Sequence, residues 1–300
     1  MPAPDLRIPP LVLGTVQLGM PYGLGAARAG LGAAAAEAIL DEAWARGLRG
    51  LDTARAYGEA EARIGHWLAA RRPEPRPFIV SKFPPLAADE GAAAVARALD
   101  ESRRALGLER IDVYLAHRGE DLLRPGVADA LRAQAAAGTI GAFGASIYGA
   151  DEGHRVLDVA GLTALQLPLH LANTEAAASG LLDAAARRGV AVFARSVFLQ
   201  GLLLADPDAL EPRFAAAAPA LRELAALARR AAVTRAALAL AAVRALPAVA
   251  AIVVGVDSAD QLAETLAAHA QPVGAATAAE AMAIGRRFPA ALADPRRWTR

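Results

Sequence analysis

Leu11-Val12-Leu13-Gly14-Thr15-Val16-Gln17-Leu18-Gly19 is the stretch on which the reading of the fold turns. An apolar strand-like run ends in it near Thr15. Gly23 and Gly25 follow, and the first helical pattern opens only at about Ala33. A doubly wound dinucleotide-binding sheet would carry a G-x-G-x-x-G turn here, leading straight from strand into helix. These glycines instead sit in a long loop, which leaves a closed barrel as the α/β alternative. Working outward, candidate strands recur at Leu11–Thr15, Arg49–Asp52, Phe78–Lys82, Ile111–Leu115, Ile140–Ala145, Ala164–Leu167, Ala191–Ala194 and Ala251–Val254. Most are far enough apart to hold a crossover helix. Ile111-Asp-Val-Tyr-Leu and Ala250-Ala-Ile-Val-Val are almost uninterrupted apolar runs, as strands buried on both faces should be.

Helix signals fill the intervals. Asp89 precedes a segment with Val95, Leu99 and Leu106 at helical spacing. Pro125 and Gly138 bracket another, and Thr174 stands before a third. Ser258-Ala-Asp-Gln261 reads as a capping box. The widest gap, ahead of the eighth strand, holds Pro207, Pro212 and Pro219 and then two helical stretches. No linker or charge block divides the chain, so the expectation is an α/β (β/α)8 TIM barrel as a single domain over residues 1–300.

Composition narrows the function. The chain has 300 residues, 32 basic and 31 acidic, for a formal net charge of +1. That balance speaks against nucleic acid as a partner and against a polybasic membrane anchor. The apolar stretch Ala236–Val254 is broken by Arg244 and Pro247, so no membrane span is expected, and the start of the chain lacks the layout of a signal peptide. A cytoplasmic location follows as an expectation. With no cysteine there is neither a disulfide framework nor a thiolate metal site, and no metal is expected. The basic residues comprise 31 arginines and a single lysine, Lys82. Lysine is a compact ammonium, and arginine a permanently charged planar fork.

In a β/α barrel the polar residues at the C-terminal ends of strands face the active site. Those ends here carry Asp52 and Tyr57, then Lys82, then His117. A free phenol, with a pKa of about 10, is a poor proton donor near neutrality. An adjacent ammonium favours the phenolate, and a carboxylate holds that ammonium in place. A histidine alongside can hydrogen-bond a carbonyl oxygen. The set suits protonation of an alkoxide as hydride arrives from a cofactor. Plainer roles stay open at this stage: a structural Asp52–Lys82 pair, a packed loop ring for Tyr57, a strand-end histidine for His117. His66, His154 and His269 read as surface or core residues, whereas His170 stands at the rim of the sixth strand. Glu59 and Glu61 read as helix N-terminal acids.

The run Asp52-Thr-Ala-x-x-Tyr57-Gly-x-x-Glu61-x-x-x-Gly65, then Ser81-Lys82, then Asp112-x-Tyr-Leu-x-His117-Arg, closely resembles the aldo-keto reductase family. The resemblance extends to Leu13-Gly-Thr15, Gly144-Ala-Ser146, Gln166, Arg195-Ser196 through Gly201, and Gly255 through Glu264. It implies a barrel that binds NADPH or NADH (NADP or NAD) and reduces an aldehyde, ketone or sugar-like carbonyl. Tyr57 would be the general acid, Lys82 and Asp52 its tuners, and His117 the carbonyl orienter. Cofactor contacts are implied for Gly14, Thr15, Ser146, Gln166, Arg195, Ser196, Phe198, Leu199, Gly201, Gly255, Asp257, Ser258, Gln261 and Glu264. Ile147 replaces the asparagine that usually follows Ser146, and Arg195 replaces an aromatic ring that relatives lay against the nicotinamide. A guanidinium in that place can stack on a π face or reach a phosphate. Asp257 stands where NADPH-selective relatives often have a basic residue. Two other functions remain in view: a non-catalytic redox-sensing or interaction subunit on the same barrel, and a lyase with Lys82 as Schiff-base amine. Substrate choice should lie in the loops Met20–Gly25, Arg118–Arg124 and Phe198–Phe214 and in the tail around Trp298. The low aromatic content points to a polar substrate, and Arg55 and Arg118 either favour an anionic one or are solvated surface.

Overall fold

The computed structural model describes residues 6–23, 30–173 and 175–298. Eight strands appear where apolar runs were expected: β1 (Leu11–Gly14), β2 (Gly50–Asp52), β3 (Phe78–Phe83), β4 (Ile111–Ala116), β5 (Ile140–Ser146), β6 (Ala164–Pro168), β7 (Ala191–Arg195) and β8 (Val249–Gly255). Each pairs in parallel with its sequence neighbour, and β8 returns to β1 through Leu11↔Ile252 and Gly14↔Gly255. The sheet is therefore a closed (β/α)8 barrel, with helices packed between strands on its outer face.

Side chains alternate across each strand with a period of two. The inner cluster contains Val12, Val80, Val113, Leu115, Ala142, Ala164, Phe193, Ala251 and Val253. Phe78 and Phe193 stack beneath them at 6.5 Å, and Leu6 and Ile8 pack against the same cluster. Two residues further along each strand from this apolar layer come Gly14, Lys82, His117, Gly144, Gln166, Arg195 and Gly255, with Asp52 two past Gly50. The layer that holds the expected site residues is thus the next turn of the same pleat, at the C-terminal mouth. Outside, a larger cluster of Leu, Ile and Ala side chains joins the sheet to the helices.

Some local expectations shift. The loop after β1 contains one helical turn, Val16–Gly19, pinned by buried Leu18 and by Thr15, whose backbone N–H and hydroxyl both donate to the Asp52 carbonyl. Pro125 stands outside its helix, which starts at Val127 because Gly126 takes a left-handed turn (φ 76°) first. Gly91, not Asp89, precedes the helix Ala92–Leu106. Ser258 accepts from the Gln261 N–H, but Gln261 reaches back to the N–H of Asp257 at 2.8 Å, one residue earlier than a reciprocal box. Thr174, Leu24 and Gly25 lie outside the described residues. Among the described residues no helix is long and apolar enough to cross a membrane.

The helices Ala60–Arg71 and Ala92–Leu106 approach closely at Gly65, where an added methyl would lie 2.0 Å from the Ala105 carbonyl oxygen. Gly65→Ala is expected to lower stability by about 2–3 kcal/mol through overpacking, measured by urea denaturation. A loss below about 0.5 kcal/mol, within the range of neutral surface changes, would mean the two helices part without cost.

Candidate active site

The lone lysine is buried with its partner. Lys82 Nζ lies 2.7 Å from Asp52 Oδ1, with side-chain exposures of 1% and 4%. It also donates to the Thr53 carbonyl at 2.9 Å. The second Asp52 oxygen accepts from Gln166 Nε2 at 2.6 Å, so the carboxylate joins β2, β3 and β6 across the barrel mouth. Burial opposes the charge on Lys82, but the Asp52 carboxylate, Tyr57 and the hydrogen bond to Asp52 outweigh it, and the ammonium is held above the ordinary lysine range.

Tyr57 is delivered by the loop after β2. The Arg55 N–H donates to the Lys82 carbonyl, and the Tyr57 N–H to that of Ala54. Gly58 has φ 56° and presses on the Gly19 carbonyl, so close that a Cβ would lie 2.5 Å from its oxygen. A residue with a side chain would push the loop, and Tyr57 with it, out of place. Glu61 is buried and does more than greet the helix dipole. It accepts from Ser81 Oγ at 2.7 Å and from Arg55 at 3.2 Å, tying the loop to the strand that carries Lys82. Glu59 pairs with Arg63.

The Tyr57 ring receives the other two members of the set. Lys82 Nζ lies 5.1 Å from its centroid, and His117 meets it edge-on at 5.6 Å and 89°. His117 Nδ1 is buried with no hydrogen-bond partner among the described residues. Burial, reinforced by the cations Lys82, Arg195 and Arg118, pushes its pKa down to about 3. The imidazole is therefore neutral at physiological pH, one ring nitrogen a donor and the other an acceptor.

A cleft of about 830 Å³ opens beside these groups. Asp52, Tyr57 and His117 line it, together with Gly14, Thr15, Ser146, Arg195, Ser196, Phe198, Gly201, Gly255, Asp257, Gln261 and Glu264. Four expected residues do not reach its wall. Lys82 and Gln166 lie buried beneath it, Leu199 joins the core, and Ser258 caps its helix. Gln166 Oε1 and Asp257 Oδ1 are buried without partners among the described residues. Burial also raises the Asp257 carboxyl above its usual range. His170 sits away from the cleft, 1% exposed, with burial holding its pKa down to about 4. Ser196, Leu199, Gln200 and Gly201 all have positive φ, which curls the segment after β7.

Sequence reasoning missed Gln17, Tyr148, Thr234 and Arg235, all of which line the cleft, whereas Tyr22 comes from the expected Met20–Gly25 loop. Tyr148 was within reach, because it continues the two-residue alternation through Gly144 and Ser146. Tyr22 and Tyr148, 39% and 41% exposed, make the mouth more aromatic than the composition suggested. Arg55 and Arg118 turn from the cleft to acids, Arg55 to Glu61 and Glu101, Arg118 to Asp121. At the tail, Trp298 packs edge-on against Phe214 at 4.9 Å.

A closed parallel barrel with a buried Asp–Lys pair beneath a tyrosine and a neutral histidine defines an oxidoreductase of the aldo-keto reductase kind. The comparisons agree: the family model described as the aldo/keto reductase family matches residues 10–283, and the chain belongs to that family. An aldo-keto reductase from Bacillus halodurans, solved in a holo form, is 21% identical over 98% of this chain and 97% of its own, with a TM-score of 0.76. A thermostable aldo-keto reductase solved with the inhibitor epalrestat is 22% identical over 93% and 96%, with a TM-score of 0.74. At these identities the likeness speaks to the fold. Among curated proteins, no sequence matches.

Because unfolded histidine titrates near 6.5 and His117 near 3, the unfolded chain takes up a proton that the folded one refuses. Stability is therefore expected to fall as pH drops from about 6.5 toward 3. Nitrogen-15 NMR should show His117 neutral throughout pH 5 to 8, and a titration midpoint above 6 would contradict this environment.

Proposed function

We propose that the cleft binds NADPH or NADH and that the protein reduces the carbonyl of a small aldehyde, ketone or sugar-like substrate to an alcohol. The observation that carries the reading is the buried Lys82–Asp52 pair beneath Tyr57, with His117 against the same ring.

The residues present suit a dinucleotide. The cleft volume lies in the range of small-molecule sites. Partnerless polar atoms stand at or just beneath its wall, on His117, Gln166 and Asp257. Ser146 and the free oxygen of Gln166 would hold the carboxamide, the curled Ser196–Gly201 segment the diphosphate, and Gly255, Asp257, Gln261 and Glu264 the adenosine end. When bound, the coenzyme supplies hydride to the substrate carbon. Tyr57 donates its hydroxyl proton to the carbonyl oxygen as negative charge develops there. Lys82 stabilises the charge left on the Tyr57 oxygen, and Asp52 keeps the ammonium aimed and neutralises it. Neutral His117 donates one ring N–H to the carbonyl oxygen, which fixes the substrate's orientation. Water then returns a proton to Tyr57. Lys82 does not suit a Schiff-base role: it is 1% exposed, held charged, and committed to Asp52 and Thr53. A cytoplasmic setting belongs to this reading.

Tyr57→Phe is expected to lower kcat by roughly 10²–10⁴ while coenzyme affinity, followed by fluorescence quenching, changes less than about twofold. Retention of more than about a tenth of the activity, outside that range, would remove Tyr57 from the role of acid. Tight coenzyme binding by the unaltered protein, with no turnover across a broad carbonyl panel, would favour the non-catalytic subunit instead.

A further inference from the structure

The cleft contains a cation without a counter-charge. Arg195 ends β7 on the inward face and is only partly exposed. Among the described residues two arginines line the cleft, and Arg235 directs its guanidinium to the carbonyl oxygens of Leu203, Leu204 and Ala205 at 3.5, 2.6 and 2.8 Å. Arg195 gives one N–H to the Ile147 carbonyl at 3.2 Å and lays its guanidinium over the Tyr148 ring at 4.3 Å. Among the described residues no carboxylate comes within 4.0 Å of it. The contrast with its neighbour is sharp. Arg296 lies over the same ring at 3.9 Å and is matched by Asp294 at 2.7 Å.

A guanidinium offers five N–H donors in a fork that matches a carboxylate. Beyond the N–H given to Ile147, the Arg195 fork keeps donors turned to the cleft, and an anion there could take them in charge-assisted hydrogen bonds. The charge is felt at the catalytic groups, since it helps hold the His117 imidazole neutral and acts against the Lys82 charge.

We propose that Arg195 is the specificity residue of this enzyme. It receives the carboxylate of a small carbonyl acid whose carbonyl oxygen is placed at Tyr57 and His117. The inference rests on the reductase reading above and adds the substrate class. Tyr148 acts as a positioning residue, its ring holding the fork flat between β5 and β7.

The test compares 4-oxobutanoate with its methyl ester, which differ in charge but share the reacting group. The coenzyme-loaded protein and its Arg195→Met and Arg195→Lys variants are assayed on both. The unaltered protein is expected to favour the acid in kcat/KM by about tenfold or more, the worth of a charge-assisted hydrogen bond, chiefly through KM. That ratio should collapse in Arg195→Met, recover in part in Arg195→Lys, and shrink as salt rises. Calorimetric titration with butanoate and with butanamide provides a readout free of turnover, and only butanoate should bind in an Arg195-dependent way. An equal loss on both aldehydes, or weakened coenzyme binding with the acid-to-ester ratio unchanged, would assign Arg195 to the fold or to the coenzyme's phosphates and overturn the proposal. Turnover of the ester with no preference for the acid would overturn it and leave the reductase reading standing. Arg195-dependent butanoate binding without turnover of either aldehyde would support the anion site and place the failure in the reductase reading.

Discussion

The contact between Lys82 and Asp52 organises the barrel mouth. A charge pair taken out of water recovers its desolvation cost only when the geometry is good and the remaining hydrogen-bonding capacity is satisfied. Here the geometry is good, and two of the three ammonium donors and both carboxylate oxygens are taken up. The ammonium has the carboxylate and the Thr53 carbonyl, and the carboxylate has the ammonium and the Gln166 amide. Three strands distant in sequence are thereby locked at one level. An uncompensated ammonium in the same place would be a large penalty, so the pair is as much a constraint on the fold as an instrument of chemistry. Its position follows from strand alternation, which sets polar groups one pleat above the apolar plug formed by Val80, Val113, Phe193 and their neighbours.

In the proposed reaction a charged floor acts only if the Tyr57 hydroxyl sits over it, and that depends on a loop, not on a strand. The segment from Thr53 to Glu59 is held at its start by backbone bonds from Thr53 and Arg55 to β3, at its end by the Glu59 N–H on the Gly19 carbonyl and the contact of Gly58 with Gly19, and beyond it by the hook of Glu61 on Ser81 and Arg55. Glu61 shows why a motif acid can have two meanings. Its place in the first helical turn is favourable for the dipole, yet both its oxygens are turned to neighbours on the barrel.

The barrel was legible because each strand is a short local pattern, and eight such patterns with helical intervals admit few architectures. Asp52, Lys82 and His117 were legible for a similar reason, since strand ends project onto a known face of a barrel, whereas Ser146 and Arg195 were reached only through the family resemblance. What escaped depends on packing between distant segments. Leu199 lies in the curled stretch after β7, where positive φ values break any simple projection, and its side chain enters the core. Tyr148 gains its meaning from guanidinium groups on β7 and on the tail. Pro125 was read by a positional preference that the left-handed Gly126 overrode. Arg55 and Arg118 were read either as an anion-binding pair or as solvated surface, and neither reading foresaw their acids, which come from elsewhere in the fold or from the next turn.

The pairing of β1 with β8 has a consequence for how the molecule is assembled. Gly14 and Gly255 face each other across this seam, and both belong to the wall of the cleft. The two edges that make the groove are thus the first and last strands of the sheet, and no groove exists until the ring has shut. A ligand lying along the seam, as the proposed coenzyme would, meets only the finished ring, and by mass action it would act as a clasp on the whole circuit of strands and not on one loop. Contacts between such remote parts of a chain are slow to find, and this wall of the cleft lies at the join between the two ends of the circuit.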